Sequence, residues 1–219
     1  YMIPGMWGAP LKGISGFLPH EGSQDFNINK SLVDIRASLE SGGGSGSGSS
    51  NANTVKPKKL VDILHSEIPG VESVFFDYEE ALVAAKAANK PLMLDFTGHT
   101  CVNCRKFEKS VLSDPAVMKI LRNDFIMASL YTDEKTSLPD EEKYVSKTTG
   151  EKIKDIGLKN QDLQITKFNR NSQPYYIPVD LEGKPLANKG YGYDPKEDVE
   201  AFVKYLESAK AEFAKRQAK

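Results

Sequence analysis

Thr100-Cys101-Val102-Asn103-Cys104-Arg105 holds the only two cysteines of a 219-residue chain, at the point where an apolar strand hands over to a helix. Upstream, Pro91-Leu92-Met93-Leu94-Asp95-Phe96 has the composition of a short buried strand. Downstream, Val102, Phe107, Val111 and Leu112 keep helical spacing. Thr100 is read as the N-cap, which places Cys101 in the first turn. There the unpaired backbone N–H groups and the positive end of the helix dipole favour a thiolate. Cys104 lies one turn further in, on the side of Phe107 and Val111, and is the sheltered member. Two thiols within one helical turn can close to a disulfide, so the pair points to redox chemistry. Three other readings compete. Zinc needs about four ligands, and His99 is the only histidine nearby in sequence. Haem attachment needs a histidine directly after the second cysteine, where Arg105 stands. A purely structural disulfide closing so short a loop would constrain the unfolded chain little.

Composition narrows the function classes. The formal net charge is -1, and no basic block suggests nucleic acid as a partner. No apolar run approaches the roughly 20 residues that span a bilayer. The start at Tyr1 is not that of a signal peptide and reads as a fragment of a longer protein. Tyr1 to Phe26 is apolar but broken by Pro4, Pro10 and Pro19. Its composition fits a tail at a membrane surface and a disordered chain end equally well. Asn27 to Glu40 has the pattern of a short helix. Ser41 to Ser50 contains only Gly and Ser, a flexible linker reaching roughly 17 Å. The expected division is a tail and linker over 1–55 and a folded domain over 56–219.

Within that domain, Val74–Phe76 is a predicted strand. Asp77-x-x-Glu80 opens a helix to Ala88 in the manner of a capping box, and the strand 91–96 and the dithiol helix follow. Ser113-Asp114-Pro115 starts another helix, and Phe125–Tyr131 is a second apolar strand. A polar insertion over 132–161 contains a hairpin of Tyr144–Lys147 with Lys152–Ile156. A helix over Asn160–Asn169 comes next. Tyr175–Val179 and Leu186–Gly190 are predicted strands joined at Glu182-Gly183. Asp194-Pro195-Lys196-Glu197 caps a last helix whose Val199, Phe202, Leu206, Ala209 and Phe213 form one buried stripe. The order βαβαβ, insertion, αββα gives an α/β fold: a mixed central sheet with helices on both faces.

With these elements in place, the chain resembles a thioredoxin-like fold with the insertion ahead of a cis-Pro strand. More closely, Leu94 to Glu108, Ser113-Asp114-Pro115, Ser172-Gln173-Pro174-Tyr175-Tyr176 and the last helix resemble the C-terminal periplasmic domain of the DsbD family of thiol:disulfide interchange proteins. Trp7-Gly8-Ala9-Pro10-Leu11-Lys12 and Gly16-Phe17-Leu18-Pro19 resemble that family's juxtamembrane segment. The resemblance implies a protein-disulfide reductase at the periplasmic face of the bacterial inner membrane. Electrons would come from a membrane-embedded cysteine pair. The implied partners are the transmembrane and N-terminal periplasmic domains of the parent protein and oxidised periplasmic thiol proteins. No cofactor or metal is expected beyond the Cys101–Cys104 disulfide. Thr100 and Val102-Asn103 depart from the Trp-Cys-Gly-Pro-Cys of general thioredoxins, so a reduction potential does not transfer. A binding module with a structural disulfide, and a net oxidant or isomerase, are the alternatives.

Site residues follow from both sources. Cys101 is the expected nucleophile and Cys104 the resolving thiol. Asp95 is an ionisable group in an apolar strand, where burial raises a carboxyl pKa; the resemblance places it beneath the dithiol as a proton partner of Cys104. Glu108, four residues past Cys104, matches a second acidic position of the family. It fits an ordinary surface residue of Lys-Phe-Glu-Lys equally well. The resemblance makes Pro174 the cis proline packed on the dithiol, with the backbone of Gln173 pairing to an extended substrate segment. His99, two residues before the nucleophile, could stabilise the thiolate but is read as a loop residue.

Overall fold

The computed structural model describes residues 55–218, apart from Glu67, Pro69 and Glu72. The tail, the short helix over 27–40 and the Gly/Ser run therefore lie outside the described residues. The first described strand, β1 (Val74–Phe75), leads into α1 (Tyr78–Ala88). Asp77 caps α1 by accepting from the Glu80 N–H, as its spacing predicts, but the Glu80 carboxylate turns away to accept from the Lys58 and Lys59 amides. Half of the capping box is thus present. Next come β2 (Leu92–Thr97), α2 (Val102–Phe107) and a π turn over Glu108–Leu112 that continues α2. The helix α3 (Pro115–Asp124) starts at the Asp114 cap and feeds β3 (Ile126–Tyr131).

The polar insertion forms a 3-10 turn at Asp140–Glu142 and the expected hairpin, β4 (Tyr144–Val145) with β5 (Lys152–Ile153). The following helix, α4 (Ile156–Phe168), begins four residues before the predicted start. Asp155, assigned to the hairpin by its sequence, instead caps α4 by accepting from the Leu158 N–H at 2.8 Å. The chain closes with β6 (Tyr175–Val179), β7 (Tyr191–Gly192) and α5 (Val199–Gln217).

Two boundaries near the C-terminus differ from expectation. Leu186–Gly190 is not a strand. After Val179 meets Pro185 in a single bridge, the chain runs irregularly and re-pairs only at Tyr191 opposite Tyr176. Asp180 holds the preceding turn by accepting from the Glu182 and Lys184 amides, and Gly183 there has φ +74°, which favours glycine. The cap of α5 is Asp198, which accepts from Ala201 N–H, whereas Asp194 closes its own turn onto Lys196.

The sheet order is β1-β3-β2-β6-β7. β2 and β3 pair in parallel, as do β1 and β3, while β6 is antiparallel to β2 and β7 to β6. β2 is central and buried along its whole length. Its odd-numbered side chains face a core that Phe107, Val111, Val117, Leu121, Phe202, Leu206 and Phe213 complete. Its even-numbered ones, Leu92, Leu94 and Phe96, pack with Ala81, Ala84 and Ala85 of α1. The mixed sheet with helices on both faces is the fold read from the sequence. It sends the C-terminal end of β2 straight into the cysteine loop.

Candidate active site

Cys101 and Cys104 are joined in a disulfide. The residue fold exposes Cys101 by 8 % and Cys104 by 0 %, so Cys101 is the one a partner can reach. Thr100 is not the cap of α2. Cys101 itself holds that position, with its Sγ accepting from the Cys104 N–H at 3.2 Å. A sulfur that accepts a backbone N–H at a helix start is favoured as a thiolate once reduced. Thr100 is drawn elsewhere: its N–H and its hydroxyl both donate to Asp133 Oδ2, at 3.1 and 3.2 Å, and the neighbouring His99 N–H donates to Oδ1 at 2.9 Å.

Asp133 belongs to the first residues of the insertion, and these form a strap. On one side α4 holds it: Gln161 Nε2 donates to Thr132 O, Asn160 Nδ2 to Tyr131 O, and the Gly157 N–H to Glu134 O. On the other side it carries both loops of the site. Thr132 Oγ1 donates to the Gln173 side-chain oxygen at 2.6 Å, and the Gln173–Pro174 peptide is cis. Gly98 sits where the loops meet: the Cys101 N–H donates to its carbonyl, and a Cβ added to it would stand 2.7 Å from Gln173 Oε1 and 3.0 Å from Asp133 Oδ2. Pro174 is buried and Gln173 half-buried. His99 is a loop residue with a fixed ring. It lies 2.8 Å from a Glu134 carboxylate oxygen and stacks on Tyr131 with centroids 4.4 Å apart.

Because one carboxylate takes three hydrogen bonds from the Cys101 loop, Asp133→Ala is expected to lower stability by roughly 2 kcal/mol, with Asp133→Asn losing less. Urea denaturation measures the loss, and faster amide exchange at His99 and Thr100 locates it.

Under the dithiol helix is a buried polar cluster. Asp95 is 1 % exposed on β2, and Ser129 Oγ donates to its Oδ2 at 3.1 Å. Burial pushes its carboxyl up to about 7, against the hydrogen bond from Ser129 and the nearby Arg105 guanidinium, which favour the ionised form. Asp95 is therefore not a solvated residue at the end of its strand. Glu108 is 3 % exposed and not a surface residue. It forms an ion pair with Arg105 Nη2 at 2.9 Å. The same guanidinium nitrogen donates to Thr97 Oγ1 at 3.0 Å, tying α2 back to the end of β2. Sequence reasoning brought out Asp95 and Glu108 but missed Arg105, Ser129, Asp133 and Tyr176. An arginine directly after the second cysteine, with an acid at i+3, was the available signal for the first of these.

A family model described as a thioredoxin-like domain matches residues 78–207, more than half of the chain. The chain belongs to the thioredoxin-like domain family. The domain is 46 % identical over 130 residues to the thiol:disulfide interchange protein DsbD of Vibrio vulnificus (strain YJ016), a match covering 55 % of this chain and 21 % of that protein. It is 41 % identical over 56 residues to DsbD of Escherichia coli (strain K12), covering 26 % of this chain and 10 % of that one. The matched stretches thus span about a fifth or less of those curated relatives. Among solved structures, a DsbH oxidoreductase is similar with TM-score 0.47 and 24 % identity over 68 % of this chain and 92 % of that one. The oxidised DsbD C-terminal domain of Neisseria meningitidis has TM-score 0.41 and 17 % identity over 63 % and 99 %. The family and the DsbD relatives support thiol:disulfide oxidoreductase chemistry at Cys101–Cys104, as the dithiol motif predicts. No helix among the described residues is long and apolar enough to cross a membrane.

Proposed function

We propose that this domain is a protein-disulfide reductase of the DsbD type, passing electrons from a membrane-embedded cysteine pair to oxidised periplasmic proteins. The observation that carries the proposal is the asymmetry of the pair: Cys101 is reachable at the start of α2, and Cys104 is enclosed, with a protonatable Asp95 buried in the strand that leads into the cysteine loop.

In the reduced domain, the Cys101 thiolate attacks one sulfur of a substrate disulfide. A Cys101–substrate disulfide forms and the other substrate sulfur leaves as a thiolate. The Cys104 thiol then gives its proton to the Asp95 carboxylate and attacks Cys101 Sγ. The Cys101–Cys104 bond forms as the second substrate sulfur departs, so two electrons have moved to the substrate. Exchange with the membrane-embedded dithiol runs the same steps in reverse and restores the reduced pair. The exchange is direct between sulfurs and uses no further cofactor. Gln173, beside the cis Pro174, offers backbone to an extended substrate segment. Glu108, held by Arg105, keeps a second carboxylate near the proton path. The Gly/Ser run over 41–50 would tether the domain within reach of the other domains of its parent chain, and tethering raises effective concentration to roughly the mM range.

The test is the reduction potential of the pair combined with trapping. In a Cys104→Ser variant, mixed disulfides on Cys101 should accumulate with periplasmic thiol proteins and with the parent protein's own cysteine domains. A potential more oxidising than those partners, or trapping of folding substrates instead, would make the domain an oxidant or isomerase. No trapped adduct and no exchange would leave a binding module.

A further inference from the structure

Asp95, Ser129 and Tyr176 form one row across three strands. Asp95 stands directly opposite Ser129 on β3 and opposite Tyr176 on β6, and residues so paired project to the same face of a sheet. All three are buried, at 1 %, 1 % and 0 % exposure. The two neighbours differ in what they do for the carboxyl. The Ser129 hydroxyl takes Oδ2. On the other side, neither Asp95 Oδ1 nor the Tyr176 hydroxyl has a hydrogen-bond partner among the described residues. Each such buried group is costly, and native interiors rarely leave one unanswered. Here one is an acceptor and the other a donor, on adjacent strands of the same row. The Tyr176 ring is held by Phe107, stacked at 5.0 Å, and by Phe202 edge-on at 5.6 Å. The hydroxyl lies near enough to Asp95 and Glu108 for their charges to act on it.

We propose that Tyr176 is the second hydrogen-bond donor to Asp95, its hydroxyl engaging Oδ1 when the carboxyl ionises, and so a positioning residue that sets the acidity of Asp95. Around this row stand Ser129 from β3 and Arg105 from α2, both acting on Asp95, and Glu108 of the π turn, which acts on Tyr176 and pairs with Arg105. Tyr176 is kept protonated well above the usual phenol range, by burial first and then by the charges of Asp95 and Glu108, with Arg105 opposing. A donor that cannot itself ionise is what a transient carboxylate needs. The inference concerns Asp95 alone and rests on the proposed reductase only for its effect on exchange.

The experiment follows the Asp95 carboxyl band by infrared difference spectroscopy in the oxidised full chain from pH 5 to 9, with Asp95→Asn assigning the band. Tyr176→Phe removes one oxygen and leaves the ring against Phe107 and Phe202. The Asp95 midpoint is expected to rise by about one to two pH units in that variant. In the unmodified chain, the tyrosine C–O band should shift with the same midpoint, a readout that needs no variant to fold. A midpoint that stays or falls, or a tyrosine band indifferent to Asp95, overturns the proposal. If the Asp95 midpoint rises while the pH profile of disulfide exchange does not move, Tyr176 keeps this role. It is then the proton transfer proposed for Cys104 that fails.

Discussion

Arg105→Met is expected to cost the domain about 3 to 5 kcal/mol, the usual penalty for stranding one member of a buried ion pair. Its partner Glu108 has 4 % of its side chain exposed, against 14 % for Arg105 itself, so the carboxylate left behind cannot turn to water. Met keeps most of the stem volume while removing the charge and, with it, the hydrogen bonds to Thr97 Oγ1 and Gly98 O. In a domain of this size the loss should lower the melting midpoint by roughly 10 °C. Arg105→Met combined with Glu108→Gln should recover most of it, because the second change removes the stranded charge. A single variant within about 1 kcal/mol of the parent would mean that the pair contributes no more than a surface ion pair. The guanidinium also favours the ionised form of Asp95, so the single variant should move that carboxyl further up.

What the sequence made legible is local. The Cys-x-x-Cys pair after an apolar strand, the stripe from Val199 to Phe213, and the hairpin around Thr149-Gly150 all rest on neighbours within a few residues. What it hid is carried by long-range pairing. Thr100 has the chemistry of a helix cap, yet Asp133, 33 residues on, takes both its N–H and its hydroxyl. That leaves the cap to Cys101. Ser129 and Tyr176 are unremarkable members of apolar strands, and only the register of β3 and β6 against β2 sets them on either side of Asp95. Glu108 in Lys-Phe-Glu-Lys has the pattern of a solvated face, but the chain turns into a π turn there and carries the residue inside. The shift of β7 has a similar cause: the Val179–Pro185 bridge fixes the turn, and Leu186–Gly190 must then bridge the gap before pairing resumes.

The insertion changes meaning when those long-range contacts are included. An insertion longer than a minimal thioredoxin needs could cover the dithiol, bind a partner or be a solvated decoration. Its first three residues have a different task, as the common support of the cysteine loop and the cis-proline loop. Gly157 shows how tightly α4 presses on that support. A Cβ there would stand 2.7 Å from the carbonyl oxygens of both Thr132 and Glu134, and backbone on both sides cannot yield cheaply. The site is therefore braced from outside the dithiol helix, which is only six residues long before its π turn.

Asp95→Asn is expected to remove most of the pH dependence of stability in the oxidised domain between pH 4 and 7. The carboxyl rises from 3.8 in its ordinary state to about 7 in the fold, chiefly through burial. Between those values the native state holds a proton that the unfolded chain has released. Stability then falls as pH rises, by roughly 4 kcal/mol across the interval, and levels off above the folded midpoint. Below about pH 4 both states are protonated and the penalty vanishes. Asn has the same shape, stays neutral throughout, and can still accept from Ser129. The variant should therefore match the parent near pH 4 and exceed it increasingly up to pH 8. Urea denaturation at pH 4.5, 6 and 8 measures the difference, and parallel curves for the two proteins would show that Asp95 ionises freely. A gain of stability on removing a buried ionisable group, with slower resolution at Cys104, is the trade that the proposed proton transfer from Cys104 to Asp95 predicts.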